Sequence, residues 1–134
     1  MTIDTPASTI DHIIEAAATV APEWAASGKD VRANLLNGLA SSLEATQAQL
    51  VALADEETHL GIGRLNGEVA RTAFQLRGFA AQVTKGAPFS YVDDPAVAGP
   101  PPVGHSAMLR LRVPVGPVAM FSASNFPFAF SVLG

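Results

Sequence analysis

The chain has no cysteine. That removes disulfides, thiolate metal sites and a cysteine nucleophile from these residues. Aromatic residues other than phenylalanine are scarce, with one Trp and one Tyr. Eight Lys and Arg stand against twelve Asp and Glu, for a net charge of −4. An acidic balance without a basic patch argues against nucleic acid as a partner. No apolar run nears the ~18 residues that read as a membrane span. The first basic residue is Lys29, preceded by Asp4 and Asp11, so the positive start of a signal or transit peptide is missing and the expected location is the cytoplasm. A length of 134 residues corresponds to one domain, since domains commonly hold about 100–150 residues.

What is present is an amphipathic first half. After a loose arm at residues 1–7, Ser8 and Asp11 have capping-box spacing. Ile10, Ile13, Ile14, Ala17 and Ala21 then share one helical face. Pro22 is expected to end or kink that helix. Ser27 and Asp30 repeat the capping signal, and Val31, Leu35, Leu39, Leu43, Leu50 and Leu53 carry a second helix to about Thr58. Gly61 and Gly63 break the pattern. Leu65, Val69, Thr72, Leu76, Phe79 and Val83 form the most regular stripe, and Lys85 and Gly86 suit its end. Two long helices joined by a short Gly-containing loop are expected to pack antiparallel.

Beyond Gly86 the composition changes. Residues 89–92 suggest a short strand, Asp93-Asp94-Pro95 a turn, and Gly99-Pro100-Pro101-Pro102 irregular structure. Residues 108–113 alternate, with Leu109, Leu111 and Val113 opposite Arg110 and Arg112, as in a half-exposed strand ended by Pro114. Residues 115–121 are apolar and uncharged and predict a strand buried on both faces. Ser122, Ala123, Ser124 and Asn125 then make a polar turn, and Pro127 suits the first turn of a helix. In α/β sheets ligands bind outside the carboxyl end of such a strand.

The run PVGPVAMFSASNFPFAFS, from Pro114 to Ser131, resembles the segment that opens the cofactor domain in the aldehyde dehydrogenase superfamily. Many members have a P-W-N-F-P turn there, whereas Ala123 and Ser124 precede Asn125 here. That variant, with Arg64-Leu65-Asn66-Gly67-Glu68, Arg71-Thr72 and residues 75–80 (QLRGFA), is similar to the bacterial 2,5-dioxovalerate (α-ketoglutaric semialdehyde) dehydrogenase branch. The likeness runs nearly the whole chain and covers the N-terminal portion of such an enzyme. It implies an α/β fold: three amphipathic helices in residues 8–86, loop and strands in 87–113 as an oligomerisation arm, and in 114–134 the first strand of a doubly wound cofactor sheet.

It also implies a reaction. A Cys thiolate attacks an aldehyde, an Asn stabilises the oxyanion, NAD or NADP accepts hydride, and a Glu-activated water releases the acid. Only the Asn is here, as Asn125. The expectation is therefore a fragment without activity of its own, belonging to a homo-oligomeric enzyme with a small aldehyde substrate. By the same resemblance Ser122, Ala123, Ser124 and Asn125 lie against the nicotinamide half of the cofactor, although the usual Trp is absent at Ser124. On the residues alone, Asn125 reads first as a turn residue bonding its own backbone, and the helices and missing nucleophile fit a non-catalytic helical interaction module equally well.

Other candidates are weaker. Gly61-Ile62-Gly63 starts like a dinucleotide fingerprint but follows a helix, and residue 66 is Asn. His12, His59 and His105 are far apart without a second ligand at helical spacing, so no metal site is expected. Glu56 and Glu57 read as solvated. Arg64, Glu68, Arg71 and Arg77 read as helix-surface pairs worth tenths of a kcal/mol each, and the resemblance gives Arg71 and Arg77 a part in placing the helix.

Overall fold

The computed structural model of the chain describes residues 4–133. Part of the expected N-terminal arm lies outside them, and Ala7 already opens helix α1, Ala7–Ala26. Helices α2, Lys29–Ala45, and α3, Gln47–Thr58, follow. Helix α4 spans Ile62–Thr84. A short 3-10 turn at Ala87–Phe89 leads into strand β1, Tyr91–Asp94, which pairs with β2, Met108–Leu111. The short helix α5, Phe130–Leu133, closes the described chain.

Several local expectations give way. Helix α1 passes through Pro22 for one more turn, and the carbonyls at its C-terminal end find side-chain donors. Arg32 donates from Nη2 to the carbonyls of Trp24 and Ala25 at 2.8 and 2.9 Å, and Ser27 Oγ donates to Trp24 at 2.7 Å. A cation at a helix C-terminus also suits the dipole. Neither capping box forms. Pro6 precedes α1 with Ser8 already inside the helix, and Gly28 precedes α2 while the Ser27 hydroxyl points back to Trp24.

The second helix is two helices. Thr46 sits at φ −103°, ψ 7°, and its hydroxyl donates to the Ser42 carbonyl at 2.8 Å, a back-bond that bends helices. The next reversal is tighter. His59 and Gly61 take positive φ, and Asp55 Oδ1 accepts the Gly61 N–H at 2.7 Å. Gly63, expected to break the chain, lies inside α4.

The core is the seam along α4, and the expected antiparallel pairing is present. Ala33 of α2 meets Ala80 and Val83, and Ala40 meets Ala73 and Leu76. Val51 and Ala54 of α3 meet Leu65 and Val69 at the opposite end. Four alanines between α2 and α4, Ala33, Ala40, Ala73 and Ala80, let the backbones approach closely, since interaxial distance follows the side chains at the contact. Phe79, expected on this stripe, is 43% exposed while Ala80 is 2% exposed. At about 100° per residue Ala80 falls nearer the centre of the stripe, and Phe79 lies at its margin. Arg77 donates two 2.7 Å bonds to the Glu44 carboxylate across the seam, as its expected placing role requires. Arg71 is exposed and makes no hydrogen bond among the described residues.

The strands differ from expectation in extent. Asp93 and Asp94 belong to β1 instead of a turn, with Tyr91 opposite Leu111 and Asp94 opposite Met108. Arg110 fastens the ribbon, donating to Asp94 at 2.7 and 3.2 Å. Val97 and His105 exchange backbone bonds beyond it, and a Cβ on Gly104 would overlap the Gly99 carbonyl. Residues 115–121, expected as a buried strand, form none here, and Phe121 is 97% exposed. A central strand needs hydrogen-bonded neighbours on both sides, and among the described residues the one sheet is the β1–β2 pair. The doubly wound sheet is therefore not seen in these residues, and the architecture is mostly helical.

Two outcomes follow. Leu65 is fully buried, so Leu65→Ala should cost about 2–5 kcal/mol in urea unfolding. The Arg77 hydrogen bond, with a smaller Coulombic contribution opposed by desolvation, holds the Glu44 carboxyl below its ordinary pKa. A depressed carboxyl contributes stability that is full above its unfolded pKa and is lost as pH falls through the folded one. The melting-temperature gap between the parent and Glu44→Gln should therefore close on acidification, and it should narrow in high salt because the pair is exposed. A gap independent of pH would contradict this account.

Candidate functional site

Residues 122–130 cross the start of α4, and two charged side chains of that helix hold them there. Arg64, in the first turn of α4, donates from Nη2 to the backbone carbonyl of Asn125. Its guanidinium also lies over the Phe126 ring, 4.9 Å from the centroid. Glu68, one turn further, is 6% exposed. It receives Arg64 Nε at 3.4 Å on Oε1 and the Phe128 N–H at 3.4 Å on Oε2. Phe126 stacks on Phe130 with centroids 4.6 Å apart, and Phe128 packs against the core around Leu65 and Val69. The helix expected from Pro127 starts at Phe130, with Pro127 in the turn before it.

The turn itself is closed by backbone, with the Phe126 N–H donating to the Ala123 carbonyl at 3.1 Å. The Asn125 side-chain amide makes no hydrogen bond among the described residues. Asn125 and Ser124 are exposed and border a cleft of about 260 Å³ shared with Glu57, Thr58 and Leu60. Ser122 and Ala123 are exposed on the same turn. The four expected site residues are thus adjacent and open to solvent. A larger cleft, about 370 Å³, lies elsewhere, between Val20, Trp24 and Arg32 and the segment Pro114–Pro117. Its walls are apolar apart from Arg32.

Arg64 and Glu68 are the residues that sequence reasoning undervalued. They stand four apart on α4 and read as a surface pair, but Glu68 is buried and both reach a segment about sixty residues away. The available signal was that Glu68 falls one residue before Val69 on the buried stripe, where an unpaired carboxylate would be costly. Arg32 was also missed. Besides closing α1 it lies 5.3 Å from both the Trp24 and Phe89 ring centroids, joining α1, α2 and the 3-10 turn.

The two sequence motifs that carry the family resemblance, residues 64–68 and 123–127, therefore touch. The sequence profile described as "Aldehyde dehydrogenase family" matches residues 3–134, and the chain belongs to the aldehyde dehydrogenase family, a family of oxidoreductases. It is 43% identical over 110 residues to alpha-ketoglutaric semialdehyde dehydrogenase 2 of Azospirillum brasilense, covering 77% of this chain and 21% of that protein. It is 34% identical over 125 residues to alpha-ketoglutaric semialdehyde dehydrogenase of Acinetobacter baylyi, covering 93% of this chain and 24% of that protein. The chain thus spans between a fifth and a quarter of the length of these curated relatives. Among the described residues no helix is long and apolar enough to cross a membrane.

Proposed function

We propose that these residues are the N-terminal portion of an NAD(P)-dependent aldehyde dehydrogenase and that Asn125 is its oxyanion donor. One observation carries the reading. The Asn125 backbone is anchored while its amide is exposed and uncommitted among the described residues. The competing role, an Asn bonding its own turn, is filled instead by the Phe126 N–H. An anchored donor needs little reorganisation when negative charge appears on an aldehyde oxygen. Family membership also disfavours the alternative of a helical module with no enzymatic ancestry.

Ser122, Ala123 and Ser124 suit the nicotinamide half of the cofactor, because small exposed side chains permit a flat ring to approach. The bound cofactor supplies the hydride acceptor. Residues 87–113 act as an oligomerisation arm and 114–134 open the cofactor domain. Both segments expose apolar side chains, including Leu109, Leu111 and Phe121, which favours their burial in a larger enzyme. The substrate is α-ketoglutaric semialdehyde, supported by the names of both relatives. Its distal carboxylate needs cationic or backbone donors. Arg77 is already engaged by Glu44, so other groups hold that carboxylate. The proposed location of the enzyme is the cytoplasm.

In the full-length enzyme Asn125→Ala should lower kcat by about 10²–10³-fold, the usual effect of losing one oxyanion donor. Cofactor affinity should change far less, because the donor acts on charge that exists only during reaction. A folded variant with parental kcat would refute the assignment. The 134-residue chain alone should reduce no NAD(P) with a semialdehyde, since it holds no cysteine nucleophile. Measurable turnover by the purified chain would overturn that.

A further inference from the structure

We infer that Arg64 and Glu68 are positioning residues that aim the Asn125 amide, an inference that rests on Asn125 being the oxyanion donor. A side chain points where its backbone lets it. Three successive attachments constrain the backbone on either side of Pro127: the Asn125 carbonyl to Arg64 Nη2, the Phe126 ring beneath the same guanidinium, and the Phe128 N–H to Glu68 Oε2. The attachments converge on one buried carboxylate, because Glu68 Oε1 also orients Arg64 through Nε.

The arms that carry this clasp are rigid. Leu65 and Val69, beside Arg64 and Glu68 on α4, are both fully buried. Thr72 Oγ1 donates to the Glu68 carbonyl at 2.8 Å within the helix. The clasp takes hold of the turn through main-chain groups and the Phe126 face, leaving the Asn125 amide free for a ligand. A buried carboxylate such as Glu68 is costly to desolvate, and apolar packing alone would serve to dock Phe128. The charge is required for what apolar packing cannot do, which is to fix the orientation of a carbonyl and an N–H.

The test uses the full-length enzyme and compares Asn125→Ala, Glu68→Ala, Glu68→Gln, Arg64→Lys and the double variant Glu68→Ala with Asn125→Ala. Misplacing a reacting group by about 1 Å can cost about 10²-fold in rate, so Glu68→Ala should lower kcat on that order while cofactor KM stays near parental. Glu68→Gln should recover part of the loss, because its amide oxygen still accepts the Phe128 N–H. Arg64→Lys should remain impaired, since Lys lacks the planar fork that meets a carbonyl and a carboxylate together. The double variant should be no slower than Asn125→Ala alone, as expected for residues acting through one group.

Four results overturn the inference. If Asn125→Ala loses kcat but folded Glu68→Ala and Glu68→Gln do not, positioning fails while the oxyanion reading stands. If the losses in the double variant multiply, Glu68 acts independently of Asn125. If neither Glu68 variant folds by circular dichroism, Glu68 is a stability residue. If Asn125→Ala keeps parental kcat, the oxyanion reading and this inference fall together.

Discussion

One helix face carries the structure. Leu65, Val69, Thr72, Ala73, Leu76, Ala80 and Val83 present a continuous buried stripe along α4, and the well-packed elements rest on it. Helix α2 lies along its second half and α3 along its first. The break at Thr46 lets both follow the stripe, because the bend redirects the chain at the point where α3 meets Leu65 and Val69. The C-terminal segment uses the same surface. Phe128 packs beside Leu65, and Val132 of α5 packs beside Ala40 and Leu76.

The functional geometry is a consequence of that packing. Burial of Leu65 and Val69 fixes the helix rotation at its start, and that rotation places Arg64 and Glu68 under residues 125–128. Had the stripe been shifted by one residue, about 100° of rotation would carry both charges away from the turn. Core and candidate site are thus set by one register. The alanines on the α2 side contribute by allowing close approach, which leaves little room for sliding.

Burial is uneven away from α4. No residue of α1 is buried, and Ile10, Ile13, Ile14 and Val20 are exposed along it. Arg32 ties its C-terminal end to the rest through carbonyls and two aromatic rings. The β1–β2 ribbon is fastened by Arg110 and Asp94, with both faces largely open. Both regions therefore leave large apolar side chains in solvent among the described residues.

The sequence by itself determined the amphipathic stripe of α4, its stop at Gly86, the antiparallel helix pairing, the existence of a strand pair, and the place of Asn125 in a turn. These are local properties, written in periodicity, in turn residues and in motif order. Its capping boxes failed because Pro6 and Gly28 occupy the cap positions. The break at Thr46 and the margin position of Phe79 were hidden because a leucine repeat looks alike in one straight helix and in two bent ones. Residues 115–121 read as a buried strand, yet strand formation needs partners that the described residues do not contain. Above all, only the tertiary structure decided what Glu68 is for. A carboxylate four residues from an arginine is a surface pair until a segment sixty positions later is laid across it, and spacing along one helix carries no information about what arrives from the far end of the chain.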